Sequence, residues 1–393
     1  MNGMYDTLVL RIPILDLSLI PTIMQFMRMY ESVVVDTGEQ VYCFTSGELE
    51  GSYDYRIRIK LDNRHWVKPE GCMVPIAVEG DYYLEVECSI HKLLNNHNVY
   101  GGPKEIRPSV KYLQKFLESS IGIELPSYLK WSAVRIDIAK LFVLNNSNIC
   151  SKIIQNLKRG NYSRRKLKNE DYGIYFNGST THDKFYWKGM EFKEHDYKRF
   201  MKYIMKKLDK LQGTNNADLE QHKLALFQMK IDKVMERAMR TIRFECEIKS
   251  RTLEKLFGED TLVENLTDES LNEVMENELR KIFMEREDME MINRSDLVEE
   301  RLDQLFSPQL AASLYSMWAK IVQYGERTVK GKMSKPTFYR NKKLLIDSGI
   351  SWSCTNINLK QISIVPEDFS FLKDNYVDSE TSVEVKHKLE SVA

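Results

Sequence analysis

The chain is poor in signals that would place it in a common functional class. It has no apolar run approaching eighteen residues and no charged-then-apolar leader. A membrane-spanning helix and a secretory signal are therefore not expected, and the expected setting is the cytoplasm, with no membrane partner. Net charge is also missing, because 57 Lys and Arg balance 57 Asp and Glu. A uniformly basic nucleic-acid binder is excluded on that ground. Six cysteines (Cys43, Cys72, Cys88, Cys150, Cys246, Cys354) are scattered with no CxxC spacing. Cys43, Cys88, Cys150 and Cys246 stand among apolar residues, so buried thiols in a reducing compartment are expected rather than disulfides or a zinc site. The seven histidines form neither H-x-H nor H-E-x-x-H, and no glycine pattern matches a Walker or dinucleotide loop. No Ser-His-Asp set and no internal repeat is visible.

What is present is uneven. The length of 393 residues suggests two or three domains, and an apolar content of 42% is ample for their cores. Residues 152–210 hold 16 Lys/Arg against 7 Asp/Glu, residues 259–303 hold 5 against 16, and residues 319–345 hold 8 against 1. Two basic blocks flank an acidic one. Such polarity suits polyanion binding at chosen places, although each block also reads as a solvated helix face.

The first two-thirds of the chain is strand-rich. Extended or alternating runs occur at 6–12, 54–61, 82–88, 133–142, 173–178, 183–193 and 241–250, with a hairpin at 33–44 around Asp36-Thr37-Gly38. Helical spacing appears at 109–120, at 147–160 with Ser147 as N-cap and Gly160 as stop, and at 194–211 and 219–240. Residues 212–217 form a polar gap. The acidic stretch 252–303 reads as helical, a connector or a packed layer. Residues 310–324 and 334–349 read as helices, the second capped by Ser334 and ended by Gly349. Periodicity fades after Pro366. This order predicts an α+β fold: a mostly antiparallel central sheet covered by helices, followed by a helical C-terminal module.

Alternation gives four strands the same division of labour. Leu84, Val86 and Cys88 share one face and Glu85 and Glu87 the other. Val134, Ile136 and Ile138 oppose Arg135 and Asp137. Ile242, Phe244, Cys246 and Ile248 oppose Arg243, Glu245 and Glu247. Phe185 and Trp187 oppose Lys184, Tyr186 and Lys188. Any one of these is an ordinary half-exposed strand. Together they predict an open, charged sheet face. Carboxylates there suit a hard divalent cation such as Mg²⁺ or Mn²⁺. A tyrosine between two lysines suits attack on a phosphoryl group, because a phenol with a pKa of about 10 needs positive charge beside its oxygen. His97, in a turn after the Glu85 strand, reads as turn surface or as a further metal or phosphate contact.

Several of these segments, in order, resemble the replication initiators of filamentous phages and related plasmids, the gene II/gene X family. They are YDTLVLRIP, LEVECSIHKLLNNHNVYGG, VRIDIA, YFNGSTTHDKFYWKGMEFKEH, IRFECEIKSRTL and TFYRNKKLLIDSGIS. The resemblance implies a rolling-circle initiator that nicks one strand at an origin, stays attached through 5′-phosphotyrosine, and later rejoins the displaced strand. It places the tyrosine at Tyr186 and shared acids at Glu85, Asp137, Glu191 and Glu245. Glu87 is not reliably shared, and the His-hydrophobic-His metal strand of many rolling-circle enzymes is replaced by Glu85-Val86-Glu87. Tyr172 and Tyr175 are rival nucleophiles. The implied set is thus Tyr186 and Lys188 for chemistry, and Glu85, Asp137 and Glu245 for metal. Lys184, Lys198, Arg199, Lys202, Arg340, Lys342 and Lys343 are expected on DNA. Partners would be origin DNA, duplex and displaced strand, and a host helicase and polymerase. The expected layout is a nuclease domain over 1–255, an acidic connector over 256–305, a DNA-binding module over 306–375 and a loose tail over 376–393.

Two other readings fit the residues. A non-catalytic origin binder would read DNA with the 334–349 helix while the sheet face only packs. A sheet that stacks single-stranded bases on exposed aromatics is the third, but the four faces hold many acids for such a platform.

Overall fold

The computed structural model describes residues 3–33, 36–37, 40–50, 56–67, 76–159, 166–209, 217–283, 292, 294–352, 366 and 368–392. The Gly160 stop, the 212–216 part of the polar gap, Cys72 and Cys354 lie outside them.

Among the described residues ten strands form one sheet: β1 (Met4–Pro13), β2 (Met27–Val33), β3 (Gln40–Glu50), β4 (Arg56–Val67), β5 (Ile76–Ser89), β6 (Ser132–Val143), β7 (Lys166–Glu170), β8 (Gly173–Asn177), β9 (Thr181–Trp187) and β10 (Thr241–Lys249). Their spatial order is β2-β3-β4-β5-β1-β6-β10-β9-β8-β7, and every pairing is antiparallel. The α+β expectation therefore holds. No described helix is long and apolar enough to cross a membrane.

Alternation decides which face is buried. Leu84, Val86, Ile136, Ile138, Phe185, Ile242, Phe244 and Ile248 enter one large apolar core under the helices Ile106–Ile121 and Ser147–Arg159. The cysteines Cys88, Cys150 and Cys246 are buried there as free thiols. The opposite face carries the charges, as the alternation predicts.

Beyond the unforeseen strand β7 and helix Val383–Glu390, two differences from expectation bear on the site and the cores. The strand expected over 183–193 ends at Trp187, and Lys188 opens a helix that runs as Lys188–Glu191, a π-turn Phe192–Asp196 and Tyr197–Asp209. Gly189 explains the break. It lies against the helix Ala217–Met239 so closely that a Cβ would meet Met239 Sδ at 2.5 Å, so the chain turns into a helix crossing there. Phe192, Phe200, Ile204, Ile231 and Val234 form a small apolar cluster with Val99 over that end of the charged face.

The second difference is the path of the C-terminal third. Of the two readings of the acidic stretch, connector or packed layer, the helix Asp268–Phe283 follows the second: Leu271, Met275, Leu279 and Ile282 are buried in the large core. A separate core follows, built from Val298, Leu302, Leu314, Trp318, Phe338 and Leu345 among others, across residues 292–352. The chain then returns. Phe369 and Phe371 pack in the large core against Phe142, with Phe371 also touching Phe185 and Phe283. Asp378 N donates to Leu141 O, and Val143 N donates to Tyr376 O. The helix Val383–Glu390 buries Val385. Residues 376–392 are thus part of a packed strap that begins at Phe369, and the expectation of a loose tail is corrected: backbone bonds at Tyr376 and Asp378 and the buried Val385 hold them.

Candidate active site

Tyr186 lies on β9 opposite Arg243 of β10 and is 6% exposed. It belongs to none of the apolar clusters. Its hydroxyl donates to Glu245 Oε1 at 2.6 Å. The same oxygen accepts from Arg243 Nε at 2.7 Å. Arg243 is fully buried and held on two further sides: it donates through Nη1 to Asn98 O at 2.6 Å and pairs with Asp6 Oδ2 at 2.7 Å. Asp6 in turn accepts from Ser89 Oγ at 2.8 Å. Burial works against charge on Glu245, but Arg243 and Lys184 outweigh it and keep the carboxyl below its ordinary range. Burial, opposed by Arg243 and reinforced by Glu245, pushes the Tyr186 phenol well above its ordinary value. The resting pair is therefore a neutral phenol donating to an ionised carboxylate.

Lys188 is fully buried at the start of its helix. Its ammonium is 5.9 Å from the centroid of the Tyr186 ring, pairs with Glu191, and lies 3.5 Å from Asp196, which also holds Lys92 at 2.8 Å. Lys184 points along the open face, 3.7 Å from Glu245 and 3.8 Å from Glu247. Glu247 faces Asp137 of β6 and His182 of β9, with His182 Nδ1 at 3.6 Å. Asp137 is gripped by Arg135 through two bonds of 2.9 and 3.0 Å, yet burial outweighs the guanidinium and pushes its carboxyl up to about 7. Tyr186, Glu245, Lys184, Glu247 and Asp137 thus form one continuous polar strip.

Glu85 is not on that strip. It pairs with Arg11 at 2.9 Å, and β5 is four strands from β9, roughly 19 Å at about 4.8 Å per strand. Glu87 is closer to the strip, since Arg135 lies 3.6 Å from it. Among the described residues no group of three or more His, Cys, Asp or Glu side chains is placed to hold a metal ion. Glu85, Asp137 and Glu245 do not fit as one metal shell, because the first is remote and the other two are taken up by arginines.

The other expected residues divide. Lys198, Arg199 and Lys202 are exposed on the Tyr197–Asp209 helix. On the helix Lys335–Asp347, Arg340 and Lys343 are exposed, whereas Lys342 pairs at 2.5 Å with the buried Glu326. His97 is not turn surface. It is buried between the rings of Tyr100 and Phe200, and burial pushes its pKa down to about 3. Tyr172 bonds Glu194 at 2.8 Å, and Tyr175 of β8 faces Lys184 of β9. Asp6 and Asn98 are the residues that sequence reading missed. Asp6 sits at the bulge of β1, where the alternation that marks a face is interrupted.

The comparisons with known proteins follow this geometry. Residues 4–269 match the family model for the N-terminal part of a phage replication-associated protein, the gene II product. No curated protein matches. A solved structure, a rolling circle replication initiator protein from Geobacillus stearothermophilus, aligns over 72% of this chain and 85% of that chain, with 10% identity and a TM-score of 0.28. The family match spans the sheet from β1 to β10 and both residues of the Tyr186–Glu245 pair, and the chain belongs to this family of phage replication-associated proteins.

Proposed function

We propose that the protein nicks one strand of origin DNA by attack of Tyr186 and later rejoins the displaced strand. The observation that carries this reading is the 2.6 Å bond from the Tyr186 hydroxyl to Glu245. In the step, the phenol oxygen bonds to phosphorus and the bond from phosphorus to the 3′ oxygen breaks. The phenol proton passes to Glu245, and the departing 3′ oxygen takes a proton from solvent. The products are a 5′-phosphotyrosine and a free 3′-hydroxyl, which could prime synthesis. Glu245 acts as general base because it already accepts the proton to be removed. Arg243 and Lys184 supply positive charge beside the reacting oxygen, and Lys188 does so behind the ring. Rejoining is the reverse reaction, with a 3′-hydroxyl attacking the phosphotyrosine. Exposed Arg340 and Lys343 on the helix Lys335–Asp347 supply contacts for choosing the origin.

A second reading, an origin binder that does not cut, is favoured by the 6% exposure of Tyr186. Cleavage requires the cover formed by residues 188–209 to yield to DNA. One experiment separates the two: supercoiled origin plasmid is incubated with the protein, with and without EDTA, and the products are run before and after proteolysis. Nicked circles carrying a covalent peptide support cleavage. Retarded but intact plasmid under every condition supports the binder. The EDTA arm measures the divalent-cation requirement implied by the resemblance.

A further inference from the structure

The open face extends away from Tyr186 as well as toward it. In register, Arg28 of β2 faces Ser46 of β3, Ser46 faces Lys60 of β4, Lys60 faces Glu85 of β5, and Glu85 faces Arg11 of β1. The adjacent row runs from Glu48 through Arg58, Glu87 and Val9 to Arg135, which grips Asp137. The wing made of β2, β3 and β4 therefore shares its surface with the polar strip.

Two clefts lie along this wing. The outer one, of 570 Å³, is lined by Phe26, Arg28, Tyr30, Gly47, Glu48 and Arg58. The inner one, of 240 Å³, shares Glu48 and Arg58 with it and adds Glu87, Ser89, Lys92 and Arg199. From the floor of the inner cleft, contacts run without a break to the tyrosine: Ser89 to Asp6, Asp6 to Arg243, Arg243 to Glu245, Glu245 to Tyr186. The wing also differs chemically from the strip. Its cations are Arg28, Arg58, Arg199 and Lys92, of which Arg58 lies 3.1 Å from Glu87 and Lys92 2.8 Å from Asp196, and two aromatic rings stand open to solvent, Phe26 at 36% and Tyr30 at 46%.

Arginines beside exposed rings fit a polyanion whose flat groups can stack, and only an unpaired strand offers its base faces. We propose that the β2–β4 wing is a binding subsite for single-stranded DNA, in which Tyr30 and Phe26 stack bases while Arg28 and Arg58 hold phosphates, and that the inner cleft leads the strand toward Tyr186. The strand's destination rests on the nicking reading; the wing's ligand does not.

The test measures binding, not cleavage. The full chain is titrated into a labelled oligothymidylate of about 20 nucleotides, and separately into a duplex of the same length, with fluorescence anisotropy as readout. Tyr30→Ala weakens single-strand binding roughly ten-fold, and Tyr30→Phe restores it. The double variant Arg28→Ala/Arg58→Ala lowers the slope of log affinity against log salt by roughly 1.4, the value for two lost phosphate contacts. Duplex affinity is unchanged in all three, and unaltered melting temperatures show that the variants are folded. Unchanged single-strand affinity in both Tyr30→Ala and the arginine pair overturns the subsite, and so does an equal loss on duplex. A wild-type protein that forms no covalent adduct but gives the expected binding losses would overturn the nicking reading and leave the subsite standing.

Discussion

Single side chains carry the chemistry. Tyr186→Phe removes the nucleophile and one hydrogen bond, so it abolishes the covalent adduct at a stability cost of about 1 kcal/mol, checked by denaturing gel and thermal melt. Glu245→Gln keeps the shape but not the base, and nicking falls by roughly 10²- to 10⁴-fold. Glu85→Gln, distant and paired with Arg11, lowers nicking far less in the same assay. The two groups of the reacting pair titrate outside the ordinary working range, the acid below its usual value and the phenol above it. They therefore contribute no limb to the pH–rate profile between about pH 6 and 9. The buried histidines His91 and His97 are a different matter. Both are depressed by burial, His97 to about 3. In the unfolded chain each takes up a proton as pH drops below the ordinary value of 6.5, while the folded protein does not. Stability is thus intact above pH 6.5 and is lost as pH falls from there toward 3, and His97→Gln flattens this slope in melts recorded between about pH 7 and 4. The sequence made Tyr186 and Glu245 legible, because alternation put each on the polar side of its strand. It did not reveal that Glu87 lies nearer the strip than Glu85. Both point the same way on β5, and only cross-strand register separates them.

At the level of elements, the helix Lys335–Asp347 separates binding from folding. Arg340→Ala and Lys343→Ala reduce origin binding and leave the melting temperature unchanged. Lys342→Ala strands the carboxylate of Glu326, which is 3% exposed, and costs of the order of 3 kcal/mol. Anisotropy and melts on the same three proteins check both halves of this expectation. The strap shows a second kind of element. Ser382 caps the helix Val383–Glu390 and donates to Asn95 Oδ1 at 2.8 Å, and Glu384 accepts from Asn96 at 2.9 Å. Gly101 comes so close that a Cβ there would meet Ser382 Cβ at 2.6 Å, with φ at +70°, so glycine is required on both counts. Strands and most helices were readable in the sequence because their periodicity is strong. The strap was not, since Phe369, Phe371 and Tyr376 lie among turns and belong to no helix or strand. The acidic helix was legible only as one of two alternatives: its glutamates dominated the charge count, while Leu271, Met275 and Leu279 kept a buried stripe at i, i+4 spacing.

At the scale of the molecule, the two larger cores among the described residues are threaded in an order that sequence position does not suggest. The large core takes residues from β1 through Phe283, the chain leaves to build the helical core, and it re-enters at Phe369. Phe371→Ala removes a ring packed on Phe142, Phe185 and Phe283 and costs roughly 3 kcal/mol, read by denaturant titration as a loss confined to the transition of the large core. That re-entry governs the timing of folding. During synthesis the ribosome delivers the helical module before the strap, so the module can finish while the great sheet still lacks part of its interior. The loop of residues 95–101, which supplies the backbone oxygen that steadies Arg243, waits for Ser382 and Glu384 to arrive. If the nicking proposed above is right, a nascent chain would carry its exposed Arg340 and Lys343 before the surroundings of Tyr186 are complete.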